Sequence, residues 1–334
     1  MNRHGLRVCA TALCALAAST AAPAAALILN EYNCVRKTKY LRGANYADDT
    51  REDAYFATIA GLPDGRIEGN GGNWIELVVV QDHLDVRGWK LKWAETGAHQ
   101  TNRTDIWFGD ANIEQGILTF SSTAPIWSDL RSGTIITVGE QESIDVDTDL
   151  DDEGNRNFTD ELDRMDVDLT IDLSTDVSCD PLAGDWWIHV SSRHEQDEYT
   201  RTGGTHHRLI RTETNVAADG PGDFAIGEED WQLTIEGAAE GVVFGPIGED
   251  VYTWGGGGIN DKEIGKLEAD PSAGVTVRDF HDGSSSTFGR ENIFDGGTER
   301  QDFGALRAWV PEPTTLLLLA AAMPLALKPR RARR

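Results

Sequence analysis

The chain has 334 residues, with 56 acidic against 30 basic side chains and a formal net charge of −26 at pH 7. Nucleic acids attract clustered lysine and arginine, so this charge argues against a nucleic-acid partner. Forty per cent of the residues are hydrophobic and ten are tryptophan, which excludes a disordered acidic chain.

The first 26 residues are typical of a secretory signal peptide. A basic start, Met1–Arg7, precedes an apolar run, and the small residues Ala21–Ala26 follow. This order of regions predicts an N-terminal signal helix, with cleavage after Ala26.

Removal of residues 1–26 would leave two cysteines, Cys34 and Cys179. In an exported chain two cysteines can close one disulfide, and we predict a Cys34–Cys179 bond. The alternative is two separate buried thiols.

The body of the chain contains short apolar runs that often alternate with polar residues and are separated by Gly, Asp, Asn and Pro. This pattern predicts an all-β, antiparallel β-sandwich. Only Asp48–Ala60 and Asp261–Glu268 have a helical pattern. The predicted strands are Leu27–Asn33, Trp74–Val80, Gly88–Trp93, Gly116–Phe120, Gly133–Val138, Val167–Leu173, Trp186–Val190, Trp231–Ile235 and Val242–Phe244.

Several of these segments share an order with a known domain. Leu27-Ile-Leu-Asn-Glu-Tyr-Asn33, Asn73-Trp-Ile-Glu-Leu77 and Leu84-Asp-Val-Arg-Gly-Trp-Lys-Leu91 are followed by Gly133–Val138 and by Ser285-Ser-Thr-Phe-Gly-Arg-Glu-Asn292. Together they resemble the lamin tail domain. The resemblance implies an immunoglobulin-like β-sandwich, here spanning 27–295. From their positions in these strands, we expect the polar side chains of Asn30, Glu31 and Glu76 to join strand ends to loops through hydrogen bonds.

A large insertion, roughly 140–225, separates the middle strands from the closing ones. Its segment 145–172 contains twelve acidic residues, and oxygen-rich, flexible positions suit calcium. With Gly154 at the sixth loop position, the segment partly matches a calcium-binding loop. The predicted calcium ligands are Asp149, Asp151, Glu153, Asn155 and Asp160.

The alternative for the acidic segment is a pair of strands with one solvated face, because its acids alternate with Ile, Val and Leu. If those strands pair, like charges are expected opposite each other, and a bound cation would relieve the repulsion.

Other chemistry-bearing patterns are weaker. His206 and His207 are adjacent, and neighbours on a strand point to opposite faces, which disfavours a shared metal. The serines of Ser284–Thr287 lie near His281 and Asp282, but a catalytic triad requires geometry that proximity in sequence does not supply. Exposed tryptophans could stack on sugar rings; the candidates are Trp186, Trp187, Trp231 and Trp254.

The C-terminus has three parts in a fixed order: Val310-Pro311-Glu312-Pro313, the apolar stretch Leu316–Leu327, and a cluster of basic residues. Twelve helical residues cover roughly 18 Å, against about 30 Å of bilayer hydrocarbon. The order resembles the PEP-CTERM sorting signal, which an exosortase recognises and removes. We therefore expect a hydrophobic sorting helix in 310–334 after a linker at 296–309, with Arg330, Arg331, Arg333 and Arg334 as the basic cluster.

These resemblances imply an exported protein of a Gram-negative-type bacterium that resides transiently at the inner membrane and then in the cell envelope or extracellular matrix. Its expected partners are the secretion machinery, an exosortase, and exopolysaccharide or surface proteins. The expected role is non-enzymatic binding or scaffolding. The alternative is an extracellular hydrolase whose site lies in the 140–225 insertion.

Overall fold

A computed structural model describes residues 25–36, 41, 66–67, 69–95, 108–110, 112–147, 169–193, 200–201, 204–205, 208–215, 222–227, 231–248, 259–283, 285–294 and 298–308, here called the described residues. They contain one short α-helix and a series of strands. The elements are β1 (Leu27–Asn33), β2 (Arg66–Ile67), β3 (Trp74–Val79), β4 (Lys90–Glu95), β5 (Glu114–Phe120), β6 (Ile135–Gly139), β7 (Ser143–Asp147), β8 (Leu169–Asp172), β9 (Trp187–Ser191), β10 (Thr200–Arg201), β11 (Gly204–Thr205), β12 (Ile210–Thr214), β13 (Gln232–Gly237), β14 (Gly241–Gly248), β15 (Ile264–Leu267), β16 (Phe280–Gly283) and α1 (Gly304–Arg307).

The largest sheet has six strands in the order β16-β15-β1-β3-β6-β9. Its neighbours are antiparallel, except for β6 and β9, which are parallel. Parallel neighbours need a connection of a dozen or more residues, and the chain between β6 and β9 is longer than that. The predicted antiparallel pairing is therefore wrong for this one pair.

A second sheet has five antiparallel strands in the order β12-β5-β4-β13-β14. Along the second half of β5, buried residues alternate with half-buried ones. Such alternation places one face of the strand against a core and the other towards solvent.

One hydrophobic cluster takes side chains from both sheets. Leu29 and Leu77 come from the six-stranded sheet, Leu118 and Leu233 come from the five-stranded sheet, and all four are fully buried. Full burial of such a side chain contributes about 1.5–3 kcal/mol. The described residues thus form an all-β, sandwich-like fold, as predicted.

The predicted strands coincide with nine strands of the structure: β1, β3, β4, β5, β6, β8, β9, β13 and β14. The helix expected at Asp261–Glu268 is wrong, because Ile264–Leu267 is the buried strand β15. It pairs with β1 on one side and with β16 on the other, and this pairing outweighs the local sequence preference.

A third sheet, β2-β7-β8, covers the outer face of the six-stranded sheet. Ile144 of β7 and Ile171 of β8 share a second hydrophobic cluster with Trp74 of β3. The next residue of β3, Ile75, belongs to the main core, and successive residues of a strand face opposite sides.

The register of this third sheet separates the acidic residues of the two strands. Asp145 lies opposite Thr170 and Asp172 lies opposite Ser143, while Asp147 lies opposite Arg66 of β2. Among the described pairs of this sheet, no two acidic residues lie opposite each other; the other acidic positions of the segment lie outside the described residues.

Strands from the predicted insertion 140–225 join both main sheets. The insertion supplies β9 to the six-stranded sheet and β12 to the five-stranded sheet. The described part of the insertion is thus integrated into the sandwich.

Residues 298–308, within the predicted linker, pack against the domain. Gln301 and Phe303 are buried, and Ser132 Oγ donates a 2.5 Å hydrogen bond to the Leu306 carbonyl. The predicted signal helix and sorting helix lie outside the described residues, among which no helix is long and apolar enough to cross a membrane.

Candidate functional site

A row of polar residues crosses the outer face of the six-stranded sheet from edge to edge. Glu76 marks this face, because it lies two residues from Trp74 on β3. The five members from β15 to β9 are at most 1 % exposed, and ionisable groups are rarely so buried unless they are paired. This polar row consists of His281, Lys266, Glu31, Glu76, Thr137 and His189, each paired with the next across the sheet.

The closing segment, residues 285–303, supplies hydrogen-bond donors to both glutamates of the row. Glu31 accepts bonds from the backbone N–H of Thr287, at 3.1 Å, and from its hydroxyl, at 3.0 Å. Glu76 accepts from the Gly289 N–H and from Asn30 Nδ2, each at 2.6 Å. Donors aimed at carboxylates in this way stabilise their buried position. These contacts favour the structural role expected for Glu31 and Glu76 from the sequence.

Asn292 joins β1 to β15 beyond the last pair of their ladder, Glu31 and Lys266. Its Nδ2 donates to the carbonyls of Asn30 and Leu267, both at 3.0 Å. Its Oδ1 accepts from Asn30 Nδ2 at 3.1 Å and lies 3.0 Å from Thr287 Oγ1, whose single proton goes either to this oxygen or to Glu31. With its two donor bonds, this side chain replaces ladder bonds that the two strands no longer make.

Lys266 is a fully buried cation opposite Glu31. Its Nζ donates to the Ile293 carbonyl at 2.9 Å and to Ser285 Oγ at 3.1 Å, and it lies 3.6 Å from Glu268 Oε1. The ammonium group therefore binds the closing segment at Ser285 and Ile293, on both sides of the residues that the glutamates bind.

His189 ends the polar row on β9. Its Nδ1 lies 2.8 Å from Thr137 Oγ1, which also accepts a 2.9 Å bond from Trp187 Nε1. Its buried Nε2 has no hydrogen-bond partner. Burial lowers the pKa of His189 to about 4, against smaller opposing effects from the Leu173 carbonyl and Asp176. The ring is therefore neutral at pH 7 and packs among aromatic side chains, 5.4 Å from Phe288.

A pair of carboxyl groups, Glu140 and Asp223, lies at the end of β6. Asn73 Nδ2 donates to Glu140 Oε2 at 2.9 Å, and Arg193 Nη2 lies 3.6 Å from Glu140 Oε1. Arg193 Nε donates to Asp223 Oδ1 at 2.8 Å. Burial raises the pKa of Glu140 to about 7; Arg193 opposes the shift and the neighbouring Asp223 adds to it. Glu140 can therefore bind or release a proton near neutral pH.

A second carboxyl pair joins the end of β4 to the start of β5, where Glu95 lies opposite Glu114. Burial raises the pKa of Glu95 well above its usual range, and the hydrogen bond and charge of Glu114 raise it further. Glu95 Oε2 and the nearby Trp93 Nε1 are buried without hydrogen-bond partners. A neutral Glu95 is the state that this environment favours.

Sequence reasoning missed both carboxyl pairs. Glu140 follows a predicted strand and Asp223 precedes a buried phenylalanine, but neither position belongs to a recognisable motif. Glu95 lies two residues beyond the predicted strand Gly88–Trp93, and its alternation with Trp93 and Leu91 is the signal that it faces inward.

The predicted calcium ligands and the residues of the predicted sorting signal lie outside the described residues. So do His206, His207, Ser284 and Trp254. Within the part of the chain that the structure describes, no group of three or more His, Cys, Asp or Glu side chains could hold a metal ion.

Cys34 and Cys179 are free thiols, so the predicted disulfide is not formed. Cys34 is buried in the main core. Cys179 Sγ donates instead to the Asp185 carbonyl at 3.4 Å, and burial together with the charges of Asp185 and Asp180 raises the pKa of this thiol to about 11. The structure thus matches the alternative of two separate thiols.

The described tryptophans of the predicted sugar platform are engaged in packing. Trp231 is 1 % exposed and stacks on Tyr32 with ring centroids 4.3 Å apart. Arg307 covers the Trp186 ring at 5.1 Å, and Trp187 donates its Nε1–H to Thr137. Trp231 is therefore too buried to belong to an exposed sugar platform, whereas Trp186 and Trp187 are half-buried.

Comparison of the chain with known protein families, with characterised proteins and with solved structures finds no match in any of the three.

Proposed function

We propose that this chain is an exported, exosortase-sorted protein of the cell envelope or extracellular matrix, with a non-enzymatic binding or scaffolding role. The observation that carries the proposal is the three-part C-terminus, in which Pro311-Glu312-Pro313 precedes an apolar stretch and a terminal arginine cluster. The finer assignment of the sandwich as immunoglobulin-like and lamin-tail-like belongs to the same proposal. It is supported by the contacts that join Asn30, Glu31 and Glu76 to the closing segment.

Fractionation of an exosortase-containing host tests the sorting step. We expect the full chain at the inner membrane first, and then a form outside it that lacks Arg334 by intact mass. A variant with Pro311, Glu312 and Pro313 changed to Ala should stay at the membrane uncleaved. Intact Arg334 on the exported wild-type chain, or normal cleavage of the variant, would overturn the proposal.

Calcium is the proposed stabilising ligand of the acidic segment. Binding to the native state raises the melting temperature by mass action. We expect millimolar calcium to raise it for the full chain, whereas equimolar magnesium does not. The double variant Asp149→Asn, Asp151→Asn should abolish the rise, and an unchanged rise would remove these residues from the site.

One observation tests the alternative of an extracellular hydrolase, namely the pairing of Glu140 with Asp223. Glycosidases hold their two carboxyl groups roughly 5 Å or more apart, whereas Glu140 and Asp223 are hydrogen-bonded to each other. Both are also nearly buried, at 6 % and 4 % exposed. This geometry favours binding or scaffolding over glycoside hydrolysis. Hydrolysis of a polysaccharide by the wild-type chain, lost in Glu140→Gln, would reverse the preference.

A further inference from the structure

The segment 222–227 is fastened to the ends of three strands of the six-stranded sheet. Ser192, just after β9, donates its hydroxyl to the Gly222 carbonyl at 2.6 Å. Asn73, just before β3, donates to the Phe224 carbonyl at 2.9 Å. Phe224 itself is 2 % exposed in the main core. In sequence, this segment lies between β12 and β13 of the five-stranded sheet. In the fold, it crosses the end of the six-stranded sheet.

Three ionisable side chains at this end of the sheet form one set: Arg193, Glu140 and Asp223. Arg193, after β9, faces Glu140 and donates a hydrogen bond to Asp223. The groups that face Glu140 are therefore one guanidinium and one carboxyl, together with the uncharged amide of Asn73. When Glu140 carries a proton, one carboxylate matches one guanidinium and the two carboxyl groups share a hydrogen bond. When Glu140 loses it, two carboxylates compete for that guanidinium.

We propose that Glu140, Asp223 and Arg193 form a latch that fastens segment 222–227 to the six-stranded sheet and loosens as the pH rises through neutrality. The direction follows from linkage: a carboxyl group whose pKa is raised by folding stabilises the closed form at low pH and loses that contribution as it ionises. The pKa of Glu140 in the closed form is about 7, against an ordinary 4.5.

The size of the effect follows from these two values. If Glu140 regains its ordinary pKa when the latch opens, the opening equilibrium increases about tenfold between pH 6 and pH 8. A group with unshifted pKa would give no change over that range. Opening of the latch would uncover Phe224, since the Asn73 bond holds the Phe224 carbonyl and the Arg193 pair holds Asp223, the residue before it.

Hydrogen exchange of the full chain tests the latch. Exchange of the backbone amides in 222–227 is followed at pH 6 and pH 8 and corrected for intrinsic rates, with amides of β6 as an internal reference. We expect opening of 222–227 to increase about tenfold while β6 does not change. Glu140→Gln should abolish the increase, whereas Glu142→Gln, at an exposed position two residues along, should retain it.

If Glu140→Gln folds poorly, a direct titration of Glu140 in the wild-type chain still tests the proposal. The side-chain carboxyl carbon of Glu140, observed by carbon-13 NMR in the wild-type chain, should titrate near pH 7. Titration near pH 4.5, an equal increase in 222–227 and β6, or a full increase in Glu140→Gln would each overturn the proposal.

Discussion

Replacement of Asn292 by alanine tests whether the closing segment holds the sandwich together. The substitution removes two donors, to the Asn30 and Leu267 carbonyls, and two acceptor contacts, from Asn30 and Thr287. The Asn30 and Thr287 side chains keep their bonds to Glu76 and Glu31, and the Leu267 carbonyl keeps Gln301.

The variant therefore loses about two net hydrogen bonds, at about 1 kcal/mol each. In addition, the buried Asn30 carbonyl loses the Asn292 donor, which costs about 1–3 kcal/mol. We expect Asn292→Ala to lower the free energy of unfolding by about 3–5 kcal/mol. Urea denaturation of the full chain, followed by tryptophan fluorescence, should show a midpoint lower by roughly 1–2 M.

Two further variants sharpen this test. Asn260→Ala removes a carboxamide at an exposed turn, where it accepts one bond from the Lys262 N–H, and should cost less than about 1 kcal/mol. Asn292→Asp keeps the shape but places an oxygen against the Asn30 and Leu267 carbonyls, so it should destabilise most at high pH. A loss of under about 1 kcal/mol in Asn292→Ala would refute the role assigned to this side chain.

Three other variants test buried groups through melting temperatures. Glu95→Gln should be more stable than wild type at pH 8.5 and lose that advantage near pH 4.5, because the raised pKa of Glu95 makes its contribution fall as pH rises. His189→Gln should resist acid better than wild type: a folded pKa of about 4 against 6.5 costs roughly 3 kcal/mol as pH falls from 6.5 to 4. Gly265→Ala should cost about 1–3 kcal/mol, because its Cβ would lie 2.2 Å from Tyr32 Cε1.

Each of these has an outcome that contradicts it. Parallel pH profiles for wild type and Glu95→Gln would place the buried proton elsewhere. An acid limb unchanged in His189→Gln would mean that other groups govern acid unfolding. If Gly265→Ala costs as much in a Tyr32→Leu background as in wild type, the ring is not what excludes the methyl group.

The strands that sequence reasoning located were those with a local signal. Trp74–Val79 and Leu27–Asn33 are short apolar runs with polar boundaries, and such runs report burial directly. The sequence predicts a helix where the structure has β15. Lys266 within this strand indicates an exposed position by residue type alone. The burial of Lys266 depends on Ser285 and Ile293, which approach it only in the folded chain.

The candidate sites likewise differ in whether a local sequence signal identifies them. The lamin-tail resemblance brought Asn30, Glu31 and Glu76 forward, and the structure places them in one buried network. Glu140 and Asp223 meet through chain topology, so no spacing within the sequence could reveal the pair. The raised pKa of Glu140 is a property of its burial, which arises only in the folded chain.

The hydrogen bonds from the closing segment to β1 also govern the order in which the chain can fold. They join residues 256 positions apart for Glu31 and Thr287, and 271 apart for Asn30 and Gln301. Contacts of such long sequence separation make folding slow. A chain synthesised from its N-terminus cannot cover Glu31 and Glu76 until the closing segment has been made. Folding of this domain therefore waits for that segment, and a shorter chain lacks the donors of Thr287 and Gly289 at the centre of its largest sheet.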